Sequence, residues 1–306
     1  MSEGSPILYH YDRSPYAEKV RLLFGLMDAE WRSVMVPIQP PRETLAILAG
    51  GYRRIPVMQL GADIYCDTRL ICQELISDRP DLSGHPSLAA TNLADRAESD
   101  VFFSAIRQVP MLKALIGLFS QLGLKGGVSF LADRGELTKG YAGASKTAKQ
   151  ARDIFGLFAQ ELESQLTESA WLAGDAPGIV DLRCYHPLFL ALGFNALKRE
   201  FLPEPIESWM SRLEAYGHGR RSELPDVAAL GEARQSAPSV ISENMKTHEA
   251  VGEWVTIQPN DYGRVPVTGV LVGADGSRWV LSRRSEDAGV THIHFPKEGF
   301  DCHVID

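Results

Sequence analysis

The chain contains 306 residues, enough for two or three domains with sizeable hydrophobic cores. Its 31 basic and 39 acidic residues give a net charge of −8 at pH 7, which argues against a nucleic-acid-binding protein. No segment has the roughly 18 consecutive apolar residues of a membrane span, and the first residues lack the basic and apolar regions of a secretory signal. Four cysteines without CxxC spacing predict reduced thiols, and we therefore expect a cytoplasmic protein.

Residues 1–82 alternate between short strand-like and helix-like segments. Short apolar runs predict the strands, and apolar residues spaced three or four apart predict the helices. The predicted elements in chain order are strand 6–11, helix 15–26, strand 31–37, helix 43–48, strands 55–60 and 64–66, and helix 70–76. This order predicts an α/β domain in which helices cover a mixed sheet.

A loop-rich segment at 83–91 precedes a region in which apolar residues recur three or four positions apart almost throughout. This pattern predicts an all-helical domain over residues 92–230. Glycines cluster at 117–127 and at 140–143, and we expect at least one irregular stretch there.

Residues 219–242 contain two prolines and many small polar residues, which predicts an extended linker. Beyond them apolar residues alternate with polar ones, and four or five short strands predict a small β-rich domain over residues 243–306. The Asp275-Gly276 pair predicts a tight hairpin turn, because glycine and aspartate tolerate the positive φ angles that such turns need.

We expect this β-rich region to pack on the helical domain, because a unit of its length has a marginal core of its own. Trp254, Trp279 and Phe295 are the candidate contact and core residues. The pair His292-x-His294 is interpreted as packing or surface residues, since no carboxylate or cysteine accompanies it at ligand spacing. No metal site is expected.

Ser14 lies immediately before a predicted helix. Pro15 follows it, and proline is favoured in the first helical turn, so Ser14 is predicted to cap the helix. A hydroxyl in the positive field of a helix N-terminus can also hold an incoming thiolate. The sequence pattern does not separate these two roles.

Pro56 and the pair Asp67-Thr68 are two further candidate positions for ligand binding. Pro56 opens a predicted strand, where it donates no ladder hydrogen bond, and a cis bond there would turn the Ile55 backbone outward. Asp67 and Thr68 immediately precede a helix. As capping residues they are unremarkable, but a helix N-terminus beside a carboxylate can also receive a zwitterion.

Together these segments resemble the glutathione S-transferases. The matching motifs are Ile7-Leu8-Tyr9, Arg13-Ser14-Pro15-Tyr16-Ala17-Glu18-Lys19-Val20-Arg21, Arg54-Ile55-Pro56-Val57 and Ile64-Tyr65-Cys66-Asp67-Thr68. The resemblance implies a thioredoxin-like α/β N-terminal domain and an all-α helical domain, to which this chain adds a small β-rich C-terminal domain. Ser14 looks like the activating serine of zeta, tau and theta-like classes, at the position where omega-like relatives have cysteine.

The resemblance also implies roles for individual residues. Ser14 would donate a hydrogen bond to the glutathione sulfur, and Ile55 would bind the cysteinyl backbone beside a cis Pro56. Asp67 and Thr68 would hold the γ-glutamyl end. Glutathione is therefore the expected co-substrate, and the expected activity is transfer of an alkyl or aryl group to its sulfur.

A small electrophile, apolar in character, is the expected second substrate. Its pocket should be lined by Tyr11, Tyr16, Phe102, Phe103 and Ile106, although core packing explains the same aromatic residues at least as well. The resemblance further implies a homodimer and a role in detoxification, with no nucleic-acid or membrane partner.

Two positions depart from the family pattern. Gly178 stands where the family caps a buried helix with serine or threonine, which leaves Asp181 to hold that loop alone. Asp67-Thr68 replaces the more usual Glu-Ser. The main alternative is a non-catalytic glutathione-binding or protein-interaction module on the same fold. Thiol reductase activity is not expected, because that chemistry needs a cysteine at position 14.

Overall fold

The computed structural model describes residues 4–141 and 146–305. The chain forms two compact units. The sheet unit comprises Met1–Asp12, Glu30–Glu74 and Arg220–Asp306, and the helical unit comprises Arg13–Ala29 and Leu75–Gly219. The three predicted domain boundaries stay a prediction, but the segments beyond residue 220 group with the N-terminal strands.

The strands and helices follow one another along the whole chain. The strands are β1 Ile7–His10, β2 Glu30–Met35, β3 Val57–Leu60, β4 Asp63–Cys66, β5 Arg220–Glu223, β6 Trp254–Pro259, β7 Val267–Ala274, β8 Arg278–Ser285, β9 Gly289–Pro296 and β10 Phe300–Val304. The α-helices are α1 Pro15–Leu26, α2 Glu43–Ala49, α3 Thr68–Leu75, α4 Pro80–Ser83, α5 Leu88–Arg96, α6 Phe102–Arg107, α7 Met111–Leu137, α8 Ala148–Glu168, α9 Ile179–Gly193, α10 Glu204–Glu214 and α11 Asp226–Gln235. A π-helical turn, Ala97–Val101, separates α5 from α6.

Within the described residues, ten strands form one sheet in the order β10-β6-β7-β8-β9-β4-β3-β1-β2-β5. Strand β1 lies parallel to β2 and antiparallel to β3, and β3 pairs antiparallel with β4. Strand β9 pairs in parallel with β4, with Asp63 opposite His292 and Tyr65 opposite His294. The C-terminal strands therefore continue the N-terminal sheet.

Two expectations for the C-terminal part are wrong. The predicted linker 219–242 contains strand β5, which pairs in parallel with β2, and helix α11. The strands beyond residue 243 were expected to pack on the helical domain, but their hydrogen-bonded neighbour is β4. The physical reason is that an unpaired strand edge needs backbone hydrogen bonds, which another strand supplies and a helix face does not.

The predicted β7–β8 hairpin is present, but its turn closes in another way. Gly276 is not among the residues with positive φ. Instead, the Asp275 carboxylate accepts hydrogen bonds from the backbone amides of Ser277 and Arg278 at 2.7 and 2.8 Å. An aspartate side chain that binds nearby amides mimics a backbone turn, so a carboxylate closes this hairpin.

One hydrophobic cluster spans the sheet unit. It joins residues of the N-terminal strands, such as Ile64, to residues of the C-terminal strands, such as Phe295, and both are fully buried. The Phe295 ring packs edge-on against Tyr52, with ring centroids 5.7 Å apart. Phe295 is therefore a core residue as predicted, and Trp279 packs against the same cluster. Trp254 is 59% exposed, so its predicted core role is wrong.

A buried carboxylate connects β4 to the C-terminal segments. Asp63 accepts hydrogen bonds from His294 Nε2 at 2.8 Å and from the backbone N and Oγ of Ser239, each also at 2.8 Å. Burial acts to raise the pKa of Asp63, but the hydrogen bond and charge of His294 and the bonds from Ser239 bring it below its ordinary value. The carboxylate therefore stays ionised and holds β9 and residue 239 against β4.

The helices of the helical unit pack on one another, among them α1 on α9 and α6 on α8. Phe158, Leu162 and Leu166 of α8 are buried, as their spacing predicts. Gly123 interrupts α7 with a φ of 68°, which confirms the expected irregular stretch. Of the second glycine cluster, residues 142 and 143 lie outside the described residues. No helix in the described ranges is long and apolar enough to cross a membrane.

The Asp63 contacts make a prediction about stability and its pH dependence. Replacing Asp63 with Asn should lower the free energy of unfolding at pH 7 by about 1.5–3 kcal/mol, because hydrogen bonds to a charged acceptor are lost. A lowered pKa in the folded state adds stability above the ordinary pKa of about 3.9, and that stability is lost as the pH falls through the folded value. Urea denaturation of wild type and Asp63→Asn should therefore show a difference that shrinks below about pH 4.

Asp287→Asn is the matched control, because Asp287 is an exposed acid between β8 and β9. It should change the unfolding free energy little. A pH-independent difference between Asp63→Asn and wild type would contradict the assigned role of the Asp63 carboxylate.

Candidate active site

Ser14 caps helix α1. Its backbone is extended, with φ −73° and ψ 115°, and its Oγ accepts a hydrogen bond from the Ala17 amide at 3.2 Å. Pro15 occupies the first turn, as predicted. The side chain of Ser14 is 1% exposed, and the described residues offer no acceptor for its hydroxyl hydrogen. The hydroxyl is thus fixed at a helix N-terminus with its donor unused.

Aromatic side chains of the helical unit gather near the start of α1. The Tyr16 ring centroid lies 4.5 Å from that of Phe102 and 5.1 Å from that of His186. Phe103 contacts Phe102 edge-on at 5.5 Å. Phe102 and Phe103 are buried, whereas Ile106, one turn further along α6, is 42% exposed.

His186 on α9 is a member of this cluster that the sequence reasoning missed. Its ring stacks on Phe102 with centroids 5.4 Å apart, and its Nδ1 lies 2.9 Å from the Arg183 carbonyl oxygen. Burial, together with the positive charge of Lys19, lowers the pKa of His186 to about 3. The imidazole is therefore neutral, and its Nδ1–H donates to the Arg183 carbonyl. A lone histidine in an apolar helix gave no signal for this position.

A buried ion-pair network lies beside the aromatic cluster. Lys19 Nζ, on a side chain that is 1% exposed, binds Glu98 Oε1 at 2.5 Å, and Arg183 Nε binds Glu98 Oε2 at 2.9 Å. Burial acts to raise the pKa of Glu98, but Lys19 and Arg183 bring it down to about 2. Glu98 belongs to the π-helical turn, a distortion often found at functional sites. The sequence pattern gave no indication of this network.

The sheet unit carries the other predicted residues. The Ile55–Pro56 peptide bond is cis, as the resemblance implied. Asp67 has a φ of +74°, and its Oδ1 accepts a hydrogen bond from the Arg69 amide at 2.9 Å while its carbonyl accepts one from Ile71 at 3.0 Å. Asp67 therefore lies at the N-terminus of α3, where its carboxylate stands beside the first-turn amides.

Arg54 is a second position whose importance sequence reasoning missed. Its Nη1 lies 3.7 Å from Asp67 Oδ2, and its Nη2 donates to Asp261 Oδ1 and to the Tyr262 carbonyl. The guanidinium also stacks on the Tyr262 ring, 4.0 Å from its centroid. Arg54 stood in the matching motif, but its hydrogen-bond partners Asp261 and Tyr262 lie more than two hundred residues away, so no local pattern could reveal them.

Asp181 holds the loop before α9 as the sequence predicted. Its carboxylate accepts hydrogen bonds from the Leu172 amide at 2.9 Å, from the Ala173 and Gly178 amides at 3.1 Å and from Trp209 Nε1 at 2.8 Å. A Cβ at position 178 would lie 2.6 Å from a backbone oxygen, that of Leu82. This close approach explains why glycine replaces the usual serine or threonine.

The predicted site residues are divided between the two units. Ser14, Tyr16, Phe102, Phe103 and Ile106 lie in the helical unit, and Tyr11, Ile55, Pro56, Asp67 and Thr68 lie in the sheet unit. Within the helical unit the structure brings Tyr16, Phe102 and Phe103 together. Within the sheet unit Asp67 immediately precedes α3, and Thr68 is the first residue of that helix. The functional roles of these residues stay predictions.

The described part of the chain holds no group of three or more His, Cys, Asp or Glu side chains arranged to bind a metal ion. His292 and His294 instead lie beside Asp63: the His294 Nε2 is 2.8 Å and the His292 Nδ1 3.9 Å from its Oδ1. Burial lowers the pKa of His292. These histidines thus contribute to the contact between β9 and β4.

Comparison with known proteins identifies a family domain within the chain and solved structures with a similar fold. Residues 8–83 match the family model of the glutathione S-transferase N-terminal domain. The crystal structure of a GST-like protein from Pseudomonas syringae is 29% identical over 100% of both chains, with a TM-score of 0.78. No curated protein matches the chain.

Two solved glutathione S-transferases share the fold over part of the chain. The structure from Rhodospirillum rubrum F11 covers 69% of this chain and 88% of its own, at 18% identity and a TM-score of 0.50. The structure from Sinorhizobium meliloti 1021 covers 69% of this chain and 89% of its own, at 17% identity and a TM-score of 0.50. The resemblance predicted from the sequence is confirmed: residues 8–83 match the glutathione S-transferase N-terminal domain, and the chain has a GST-like architecture with additional C-terminal strands.

The buried network predicts a large effect of removing its acid. Glu98→Gln should lower the free energy of unfolding by about 3–5 kcal/mol, because Lys19 and Arg183 lose their shared counter-ion. The double variant Lys19→Met with Glu98→Gln should recover part of this loss, since one uncompensated buried cation is gone. Urea denaturation at pH 7 measures both.

Glu168→Gln, at the exposed end of α8, removes the same charge from the same unit and serves as the control. It should unfold like the wild type. Equal stability of Glu98→Gln and Glu168→Gln would contradict the assigned network.

Proposed function

We propose that this protein is a glutathione transferase that activates the glutathione thiolate for attack on a small, apolar electrophile. The observation that carries the proposal is the Ser14 hydroxyl, which the Ala17 amide fixes at the N-terminus of α1 with its hydrogen unused. A helix N-terminus carries roughly half a positive charge, and such a field lowers the pKa of a nearby thiol. The hydroxyl hydrogen of Ser14 and the field of the helix therefore both favour the thiolate form of a glutathione bound beside Ser14.

The remaining assignments follow the family resemblance. Ile55, beside the cis Pro56, is assigned to the cysteinyl backbone of glutathione. Asp67 and Thr68, at the start of α3, are assigned to its γ-glutamyl group. The helix amides suit a carboxylate and the Asp67 side chain suits an ammonium, which are the two charges of that group.

The chemical step is a nucleophilic displacement or addition. The sulfur lone pair forms the new carbon–sulfur bond, and the thiol proton passes to solvent. In a displacement the leaving group departs with the electrons of the broken bond. In an addition the π bond of the electrophile breaks, and its electron pair takes up a proton from solvent. Ser14 would stabilise the anion through a hydrogen bond and would form no covalent bond itself.

One alternative is favoured by a specific observation. The Ser14 side chain is 1% exposed, which limits the approach of a sulfur atom to its hydroxyl. A protein that binds glutathione without turnover, as a binding or interaction module, fits that burial. A homodimer, a cytoplasmic location, a role in detoxification and the pocket residues Tyr11, Tyr16, Phe102, Phe103 and Ile106 stay predictions.

The test compares two helix caps. Ser14→Ala should lower kcat with a panel of electrophiles by about ten- to a thousand-fold, because one donor to the stabilised anion is lost. Glutathione affinity, measured by calorimetry, should fall much less. The wild type should also be retained on immobilised glutathione.

Ser87→Ala is the matched control, because Ser87 caps α5 by accepting from the Ala90 amide at 3.1 Å. Both variants should lose about 1 kcal/mol of stability, but only Ser14→Ala should lose turnover. Unchanged turnover in Ser14→Ala would contradict a catalytic role for Ser14 and leave it only the role of a helix cap. A wild type that binds glutathione but turns over no electrophile selects the non-catalytic alternative.

A further inference from the structure

The loop between β6 and β7 places two residues on Arg54. Asp261 Oδ1 and the Tyr262 carbonyl both accept hydrogen bonds from Arg54 Nη2, and the Tyr262 ring covers one face of the guanidinium. The loop is itself held, since Arg264 Nε donates to the Asp261 carbonyl at 3.1 Å and the Asn260 amide donates to the Gly299 carbonyl at 3.0 Å. The β-rich region thus reaches a residue of the glutathione S-transferase motif.

Arg54 is a buried and permanently charged group. Its side chain is 11% exposed. Burial acts to lower the pKa of Arg54, but Tyr262, Tyr52, Asp261 and Asp67 raise it above its ordinary value. Tyr52 is not a counter-ion, because burial and the neighbouring Asp67 raise the pKa of its phenol, which stays neutral. Within the described residues the charge of Arg54 is therefore balanced by Asp261 and Asp67.

The two carboxylates share Arg54 unequally. Asp261 makes a direct hydrogen bond, whereas Asp67 Oδ2 lies 3.7 Å from Nη1, beyond hydrogen-bond distance. The Asp67 side chain keeps 25% exposure, and only its Oδ1 is engaged, by the Arg69 amide. Asp67 therefore retains an oxygen that can accept from a ligand cation.

We propose that Asp261 is a positioning residue of the glutathione site: it holds Arg54 away from Asp67, so that the Asp67 carboxylate stays free to bind the ammonium of the γ-glutamyl group. This inference rests on the proposed function, in which Asp67 receives that ammonium. Without the Asp261 charge, the buried guanidinium has one counter-ion left, and it closes on Asp67 and neutralises it. Through Asp261, the C-terminal region would then influence the affinity of the site for the γ-glutamyl ammonium of glutathione.

The proposal makes the effect of Asp261 depend on the ligand. Asp261→Asn should weaken glutathione binding about tenfold, since a charge partner of the ammonium is neutralised. It should leave unchanged the binding of deamino-glutathione, in which hydrogen replaces the γ-glutamyl amino group. Calorimetry with these two ligands measures both affinities in the full-length protein. Asp287→Asn removes the same charge elsewhere in the β-rich region and should change neither affinity.

The Arg54→Met variant distinguishes a positioning role of Asp261 from a purely structural role. In Arg54→Met there is no cation to restrain, so adding Asp261→Asn should have no further effect on glutathione affinity. This comparison also decides the matter if Asp261→Asn alone fails to fold. A structural role for Asp261 would instead weaken both ligands equally, or persist in the Arg54→Met background.

The outcomes distinguish the two proposals. If wild type binds glutathione and Asp261→Asn binds it equally well, the positioning role is overturned and the proposed function stands. If Asp261→Asn weakens both ligands alike, the positioning role is again overturned. If wild type binds no glutathione, the proposed function fails and the positioning role falls with it.

Discussion

The parallel pairing of β9 with β4 is the constraint on which the sheet unit depends. It joins β6–β10 to the thioredoxin-like strands and makes one sheet of what would otherwise be two. Without β9, the backbone groups of β4 would form an open sheet edge, which proteins usually cover. The ionised Asp63 secures this pairing, because His294 and Ser239 approach it from two C-terminal segments. One shared core, with Ile64 and Phe295 as members, then buries both sets of strands.

This pairing has a consequence for the candidate site. Because the C-terminal strands are anchored at β4, the β6–β7 loop contacts Arg54, which lies two residues before the cis Pro56. Arg54 in turn lies 3.7 Å from the Asp67 carboxylate. Further contacts join the same regions, such as the ion pair of Arg278 with Glu74 at 2.8 Å. The additional C-terminal strands are therefore part of the environment of the proposed γ-glutamyl subsite. In the proposed arrangement they affect ligand affinity through the charge balance at Arg54.

Much of the fold could be predicted from the sequence because its signals are local. Apolar periodicity gave the N-terminal strands and helices to within two residues at each end. The Ser14-Pro15 pair gave the helix cap, and motif resemblance gave the cis bond at Pro56 and the role of Asp181. Each of these features depends on residues that are neighbours in the chain or lie in a recognisable motif.

The missed features depend on distant residues. No local pattern shows that β9 would pair with β4, and the bond between Arg54 and Asp261 joins residues 207 positions apart. The segment 219–242 looked like a linker because its prolines and polar residues are typical of one, yet pairing with β2 makes part of it a strand. At Asp275 the turn was predicted, but a side-chain bond replaced the expected backbone conformation. Tertiary context decided each of these cases.

Native-state hydrogen exchange tests the central claim that the N-terminal and C-terminal strands fold as one sheet. The amides of β3 and β4 and those of β8 and β9 should exchange through a common opening, with the same free energy and the same dependence on denaturant. Exchange of β8 and β9 through a lower-energy opening that leaves β3 and β4 protected would contradict the account.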